Sequence, residues 1–126
     1  YKRQMQSFLK KFINKFRYAF AGLFDGIRHD HSIALQCLIG LFVFIACIFL
    51  HLTVWEWLVI ILMIALVIAF EFINSAVETI TDKISPEYSL EAKKIKDYAA
   101  AAVLVISIAA AISGIIIIGG KIYGML

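Results

Sequence analysis

Fourteen consecutive apolar residues, WLVIILMIALVIAF at 57–70, run without a break into EFINSAVE at 71–78. A run this apolar belongs in lipid, where every backbone N–H and C=O must be satisfied within the segment, so it folds as a helix. Three stretches of this kind occur, at about 33–50, 54–73 and 98–118. Each approaches the roughly 20 residues that cross about 30 Å of hydrocarbon. With 63% of its 126 residues hydrophobic and only 17% charged, the chain is too apolar for an ordinary soluble domain. The expected fold is an all-α membrane protein forming a single domain over 1–126, with membrane helices at about 33–50, 54–82 and 90–118. The first stretch lies behind a basic segment and lacks a small-residue cleavage pattern, so it reads as a span and not as a signal peptide.

Residues 7–28 follow a different pattern. At 100° per residue, Phe8, Leu9, Phe12, Ile13, Phe16, Phe20, Leu23, Phe24 and Ile27 share one face, and Lys10, Lys11, Asn14, Lys15, Arg17, Asp25 and Arg28 fill the other. This is an amphipathic helix for a membrane interface, either a plain anchor or a lid over a site. Orientation follows from the cations. Lys2, Arg3, Lys10, Lys11, Lys15, Arg17 and Arg28 precede the first span, and Lys83, Lys93, Lys94 and Lys96 lie between the second and third. Lys121 alone falls on the other side. Eleven against one places the N-terminus and the 83–96 segment of a multi-pass chain in the cytoplasm, with the C-terminus outside. His51, Trp55 and Trp57 then mark the outer interface. The net charge of +3 is membrane-surface basicity and not a nucleic-acid footprint, because the basic residues flank spans.

The connections are short. RHDH at 28–31 joins the amphipathic helix to the first span, and HLT at 51–53 makes the first two spans antiparallel neighbours. Between the second and third spans, Ser85 before Pro86, or Ser89, suits a helix N-cap. Along the third span, Ala100, Val103, Ser107, Ala110 and Gly114 put small residues on one face, which suits close helix packing in a bundle or between subunits. Cys37 and Cys47 lie inside the first span as small fillers without disulfide or zinc spacing. GIIIIGGK at 114–121 has the wrong glycine spacing for a phosphate loop and lies on the outer side.

Ionisable residues at membrane depth are expensive and mark function. Glu71, Asn74 and Glu78 stand at i, i+3 and i+7 on one helical face, and Asp82 continues it. With Trp55 and Trp57 at one interface, Glu71 lies roughly 22 Å further along the helix, just short of the opposite boundary, and Glu78 about 10 Å beyond it. The acidic stripe therefore crosses from lipid into water. Asp30, Lys96 and Asp97 start their own spans at matching depth. Paired carboxylates suit a hard cation such as Mg²⁺ with phosphate oxygens, a lysine suits phosphate charge, and a carboxylate at the lipid boundary can act as a general base. Together these ingredients point to phosphoryl transfer at a membrane surface.

EFINSAVETITDKI followed by KKIKDYAAAAVLV closely resembles the small bacterial diacylglycerol kinase family of integral membrane lipid kinases, whose pattern is E-x-x-N-[ST]-A-[IV]-E-x-x-x-D, then A-K-D and a small-residue run. The resemblance extends over nearly the whole chain. It implies a homotrimer with active sites shared between subunits, ATP as phosphate donor and Mg²⁺ as cofactor. It implies Glu71 as catalytic base toward a lipid hydroxyl and Asn74 as an orienting residue. It implies Asp30 and Glu78 as metal ligands that also serve the nucleotide, and Lys96 and Asp97 as nucleotide contacts, with Lys11, Tyr18, Glu87 and Tyr88 completing the pocket. Asp30 stands where the family usually has Glu, which shortens that contact by one methylene, and Ile95 replaces the Ala of A-K-D. HDHSIALQ departs from the ERN…H stretch of the branch that phosphorylates undecaprenol, although the third-span opening and C-terminal half look more like that branch. The expected acceptor is undecaprenol, with diacylglycerol as the alternative. A small ion-coupled transporter subunit is a rival reading, but transporters tend to show repeats and broken helices, and neither is visible here. A non-catalytic assembly protein is a second rival, favoured by the small-residue face alone.

Overall fold

A computed structural model describes residues 1–125, all of them in four helices and their short connections. Helix α1 runs Lys2–His29, α2 His31–Ile48, α3 Val54–Ile84 and α4 Leu90–Met125. The last three are long and apolar enough to cross a membrane. At 1.5 Å per residue, α3 is about 46 Å and α4 about 54 Å long, so both outrun a hydrocarbon core of about 30 Å. Helix α4 continues through Gly119, Gly120 and Gly124 to Met125. Glycine alone does not end a helix where unpaired backbone groups would face lipid. Lys121, carried on this extension, forms an ion pair of 3.0 Å with Glu56 at the start of α3.

Each junction has a local cause. Asp30 ends α1 and caps α2: its Oδ1 accepts from the Ile33 amide at 3.1 Å. At the turn into α3, Thr53 and Glu56 form a capping box, the Glu56 amide donating to Thr53 Oγ1 at 3.3 Å and the Thr53 amide to Glu56 Oε1 at 2.9 Å. His51 takes up a left-handed φ of 53° there, which reverses the chain in a few residues. Of the two candidate caps before α4, Ser89 is the one used, its Oγ accepting from the Ala92 amide at 3.0 Å. Pro86 stays in the preceding connection.

Helix α3 is the centre of the arrangement, packing on α2 on one side and α4 on the other. The core is small: Ile33, Cys47, Ile60, Val67 and Ala92 are its buried apolar residues among those described. Lipid tails are as apolar as Leu, so helices in a bilayer associate by close packing and not by hydrophobic expulsion. Gly40 shows how. A Cβ there would sit 2.8 Å from Ile64 Cγ2, so a side chain at 40 would force α2 off α3. At the other end of the hairpin the Phe44 and Trp57 rings meet with centroids 5.3 Å apart. The small-residue face of α4 behaves differently. Nothing lies within 4 Å of where a Gly114 Cβ would stand. Ser107, Ala110 and Gly114 line an open groove between α2, α3 and α4.

None of the residues of α1 is buried. Its C-terminal end alone is tied down, with Gly26 against the Phe72 ring so closely that a Cβ would collide with it. The apolar face, including Phe8, Phe12, Phe16 and Phe20, is uncovered by the rest of the chain. That is the surface an interfacial helix presents to a bilayer. In lipid vesicles, Phe16→Glu is expected to speed hydrogen exchange in the N-terminal turns of α1. The increase should be on the order of ten- to a hundredfold, matching the about 1.5–3 kcal/mol of burial that one Phe supplies. Exchange in α2–α4 should stay unchanged. Loss of protection throughout the bundle would contradict an independent interfacial helix.

Candidate active site at the carboxylate face of α3

Glu71 sits on the inner face of α3 and is buried, at 7% exposure. The face carries it there because Val67 and Glu71 follow one another at i and i+4 against the neighbouring helices. Its carboxylate faces Asp30, Gln36 and Glu78. One turn on, Asn74 Nδ2 donates to Glu78 Oε1 at 3.3 Å. Asn74 Oδ1 is buried with no hydrogen-bond partner among the described residues. A buried amide oxygen left open is costly unless a ligand takes it. Ser75 Oγ donates to Asp30 Oδ2 at 2.5 Å, which joins the α1–α2 junction to α3. That hydrogen bond, with the Ile33 and Ser32 amides, outweighs desolvation and holds the Asp30 carboxyl below its ordinary value. Asp30 is thus an anion whose two oxygens are already oriented.

The six residues expected at one level fall into two linked groups. Asp30, Glu71, Asn74 and Glu78 come together around α3. Lys96 and Asp97 lie on α4 and are partnered separately: Lys96 makes an ion pair with Asp82 at the end of α3, and Lys93 Nζ reaches Asp97 Oδ2 at 2.6 Å. The structure does not bring the remaining four into contact with these within one chain. Lys11 and Tyr18 are exposed on α1, about 27 Å and 16 Å along the helix axis from His29, and make no hydrogen bond or ion pair to the site among the described residues. Glu87 and Tyr88 are exposed in the α3–α4 connection, where Ser85 Oγ donates to the Glu87 carbonyl at 3.3 Å. Sequence reasoning passed over Gln36 and Ser75 as site residues, and set Asp82 on the acidic face without a role at the site. The period of α3 contained a signal for two of them, since Glu71, Ser75, Glu78 and Asp82 stand at i, i+4, i+7 and i+11.

The groove between α2, α3 and α4 has a volume of about 550 Å³. Its lining is apolar apart from Gln36 and Ser107. Gln36, next to Glu71, marks one end of it. A hydrocarbon-lined channel therefore leads to a buried carboxylate, which in turn leads along α3 to exposed ones.

The donor set suits Mg²⁺. All candidates are hard oxygens, and the unpartnered Asn74 Oδ1 is one of them. Among the described residues no three His, Cys, Asp or Glu side chains close on a common point. Mg²⁺ does not need such a cage, since it is commonly held by one or two carboxylates together with substrate phosphates. Glu78 and Asp30, which both face Glu71, are the carboxylates that would hold it. Glu78 is exposed, and its partner is the Asn74 amide. Removing it leaves no buried charge unpaired. Glu78→Ala is therefore expected to keep wild-type helicity and thermal stability. Its Mg-ATP affinity, measured calorimetrically, should fall by on the order of ten- to a hundredfold, the range for losing even an outer partner of a metal site. Unchanged affinity would remove Glu78 from the metal site.

A profile of the prokaryotic diacylglycerol kinase family matches residues 17–118, which include all four helices in part or whole. Among curated relatives, the chain is 29% identical over 109 residues to the undecaprenol kinase of Bacillus subtilis, covering 86% of this chain and 89% of the relative. It is 32% identical over 103 residues to the diacylglycerol kinase of Haemophilus influenzae, covering 77% and 82% respectively. It is also 36% identical over 100 residues to the diacylglycerol kinase of Synechocystis, covering 79% of this chain and 57% of that one.

Proposed function

The chain belongs to the prokaryotic diacylglycerol kinase family and is a lipid kinase; on that premise we propose that it transfers the γ-phosphate of ATP to undecaprenol at the cytoplasmic face of a bacterial plasma membrane. The observation that carries this reading is the position of Glu71 where an apolar groove meets an acidic helix face. An acceptor whose long hydrocarbon lies in the groove brings its terminal hydroxyl to Glu71. Glu71 takes the hydroxyl proton as the oxygen attacks the γ-phosphorus. The bond from that phosphorus to the bridging oxygen breaks, leaving ADP on the water side and the phosphoryl group on the lipid. Asn74 holds Glu78 through its amide and offers Oδ1 to the same space. Glu78 and Asp30 would hold Mg²⁺, which would neutralise charge on the phosphates. Lys96 meets phosphate charge, and the Lys- and Arg-rich end of the bundle faces the ATP-containing compartment.

Two further features support a homotrimer with shared sites. The face of α1 that carries Lys11 and Tyr18 makes no contact with this chain's own Glu71, so a nucleotide role for them, as the resemblance implies, would be exercised at a neighbour's site. Apart from the groove, α4 exposes Leu104, Val105, Ile108 and Ile112, an apolar surface open to a second copy. The acceptor rests on the groove's chemistry. Its scarcity of polar lining suits a polyprenol, which has no polar atom besides its alcohol, better than diacylglycerol, whose two esters need partners. Two of the relatives named above are diacylglycerol kinases, so that acceptor is the second reading.

The test is a direct competition. Purified protein in vesicles is given γ-labelled Mg-ATP with undecaprenol and diacylglycerol at equal mole fraction, and the extracted lipids are chromatographed. Label is expected mainly in undecaprenyl phosphate. Label mainly in phosphatidate would establish the diacylglycerol reading, and label in neither lipid would overturn both.

A further inference from the structure

Lys96 on α4 makes its ion pair with Asp82 on α3. Its immediate neighbour Asp97 is held by Lys93, so Lys96 points across to Asp82. Asp82 stands four residues beyond Glu78, about 6 Å further along α3 on the water side. The pair thus sets an ammonium one turn past Glu78, the carboxylate that would face the nucleotide's phosphates. A phosphate chain extended along α3 from Glu78 toward water meets it there. The pair is a poor stabilising device. Its side chains are 37% and 63% exposed, and exposed ion pairs contribute little to stability. What it restricts is direction. Lysine has a four-carbon stem with large rotamer freedom, and a Lys at a bilayer edge otherwise extends along any path to water.

We propose that Asp82 is a positioning residue that preorders the Lys96 ammonium for the phosphates of the nucleotide. Asp82 does not touch the reacting atoms. It removes in advance the entropy that Lys96 would lose on binding phosphate, and it shares the ammonium once phosphate arrives, since –NH₃⁺ has three donors. The inference rests on the reading of Lys96 as a nucleotide contact.

The test compares Asp82→Asn, Asp82→Glu and Lys96→Ala as full-length protein in vesicles, with Mg-ATP affinity measured by calorimetry beside steady-state kinetics. For Asp82→Asn, KM and Kd for Mg-ATP are expected to rise roughly two- to tenfold, equivalent to about 0.5–1.5 kcal/mol for ordering one flexible side chain. KM for the lipid alcohol and kcat should change little. Asp82→Glu should restore most of the affinity, and Lys96→Ala should lose more than Asp82→Asn. Exchanging the two charges, with Asp82→Lys and Lys96→Asp together, should restore any lost thermal stability without restoring nucleotide affinity. Wild-type Kd in Asp82→Asn alongside a weakened Lys96→Ala overturns the role of Asp82 alone. Wild-type Kd in Lys96→Ala overturns the nucleotide role of Lys96 itself. A charge exchange that restores Mg-ATP binding makes the pair a structural tie between α3 and α4 and overturns the positioning role.

Discussion

Two oxygens of Asp30 hold the site together. Oδ1 caps α2, and Oδ2 takes the Ser75 hydroxyl of α3, while the residue itself is the single link between α1 and α2. Three helices are therefore set against one another at the level of Glu71 by one carboxylate. The Ser75 contact adds to the packing of Gly40 on Ile64 and of Phe44 on Trp57 that seats α2 on α3. Without the cap, the first turn of α2 would leave amides unsatisfied at the edge of the lipid, where the cost is high. That the same carboxylate is a candidate metal ligand means that a nucleotide bound there would bear directly on the joint of α1.

The second constraint is the position of the polar residues along α3. A helix of 31 residues is longer than the bilayer core, and in the proposed placement the carboxylates occupy the part that emerges. Glu71 lies on the lipid side of that boundary and is buried. Glu78 and Asp82 lie toward water and are exposed. A lipid alcohol and a nucleotide arrive from immiscible phases, and one helix face presents chemistry to each. The proposed reaction uses this arrangement without a moving element: the acceptor reaches Glu71 through the groove, and the donor comes from solution along Glu78 and Asp82. Burying Glu71 also keeps water, a competing acceptor, away from the base.

Much of this was legible in the sequence, for identifiable reasons. Apolar runs set the three spans because lipid allows few alternatives, and polar residues at Glu71, Asn74 and Glu78 stood out against that background. The amphipathic period of α1 was equally plain, although the helix starts at Lys2 and its apolar face meets nothing in this chain. What stayed hidden were relations between helices. Ser75 and Asp30 are 45 residues apart, and their contact depends on how α2 leans on α3. Lys96 and Asp97 look like a unit when read in order, yet adjacent residues on a helix diverge by about 100° and do not face each other. Lys93, at i−4 from Asp97, is the true partner. The small residues of α4 suggested close packing, whereas in this chain they line a groove, because small size permits a close approach without supplying the neighbour.

The central claim is that Glu71 is the base for the lipid hydroxyl while nucleotide binding belongs to the water side of the face. Glu71→Gln separates the two, since it keeps size and hydrogen bonding and removes only the capacity to take a proton. The account predicts that purified Glu71→Gln loses turnover by about 10²–10⁴, the usual worth of a general base, and retains Mg-ATP binding near the wild-type level. Near-normal turnover would contradict it and leave Glu71 as a structural neighbour of Gln36 and Asp30, and lost Mg-ATP binding would move Glu71 into the metal site.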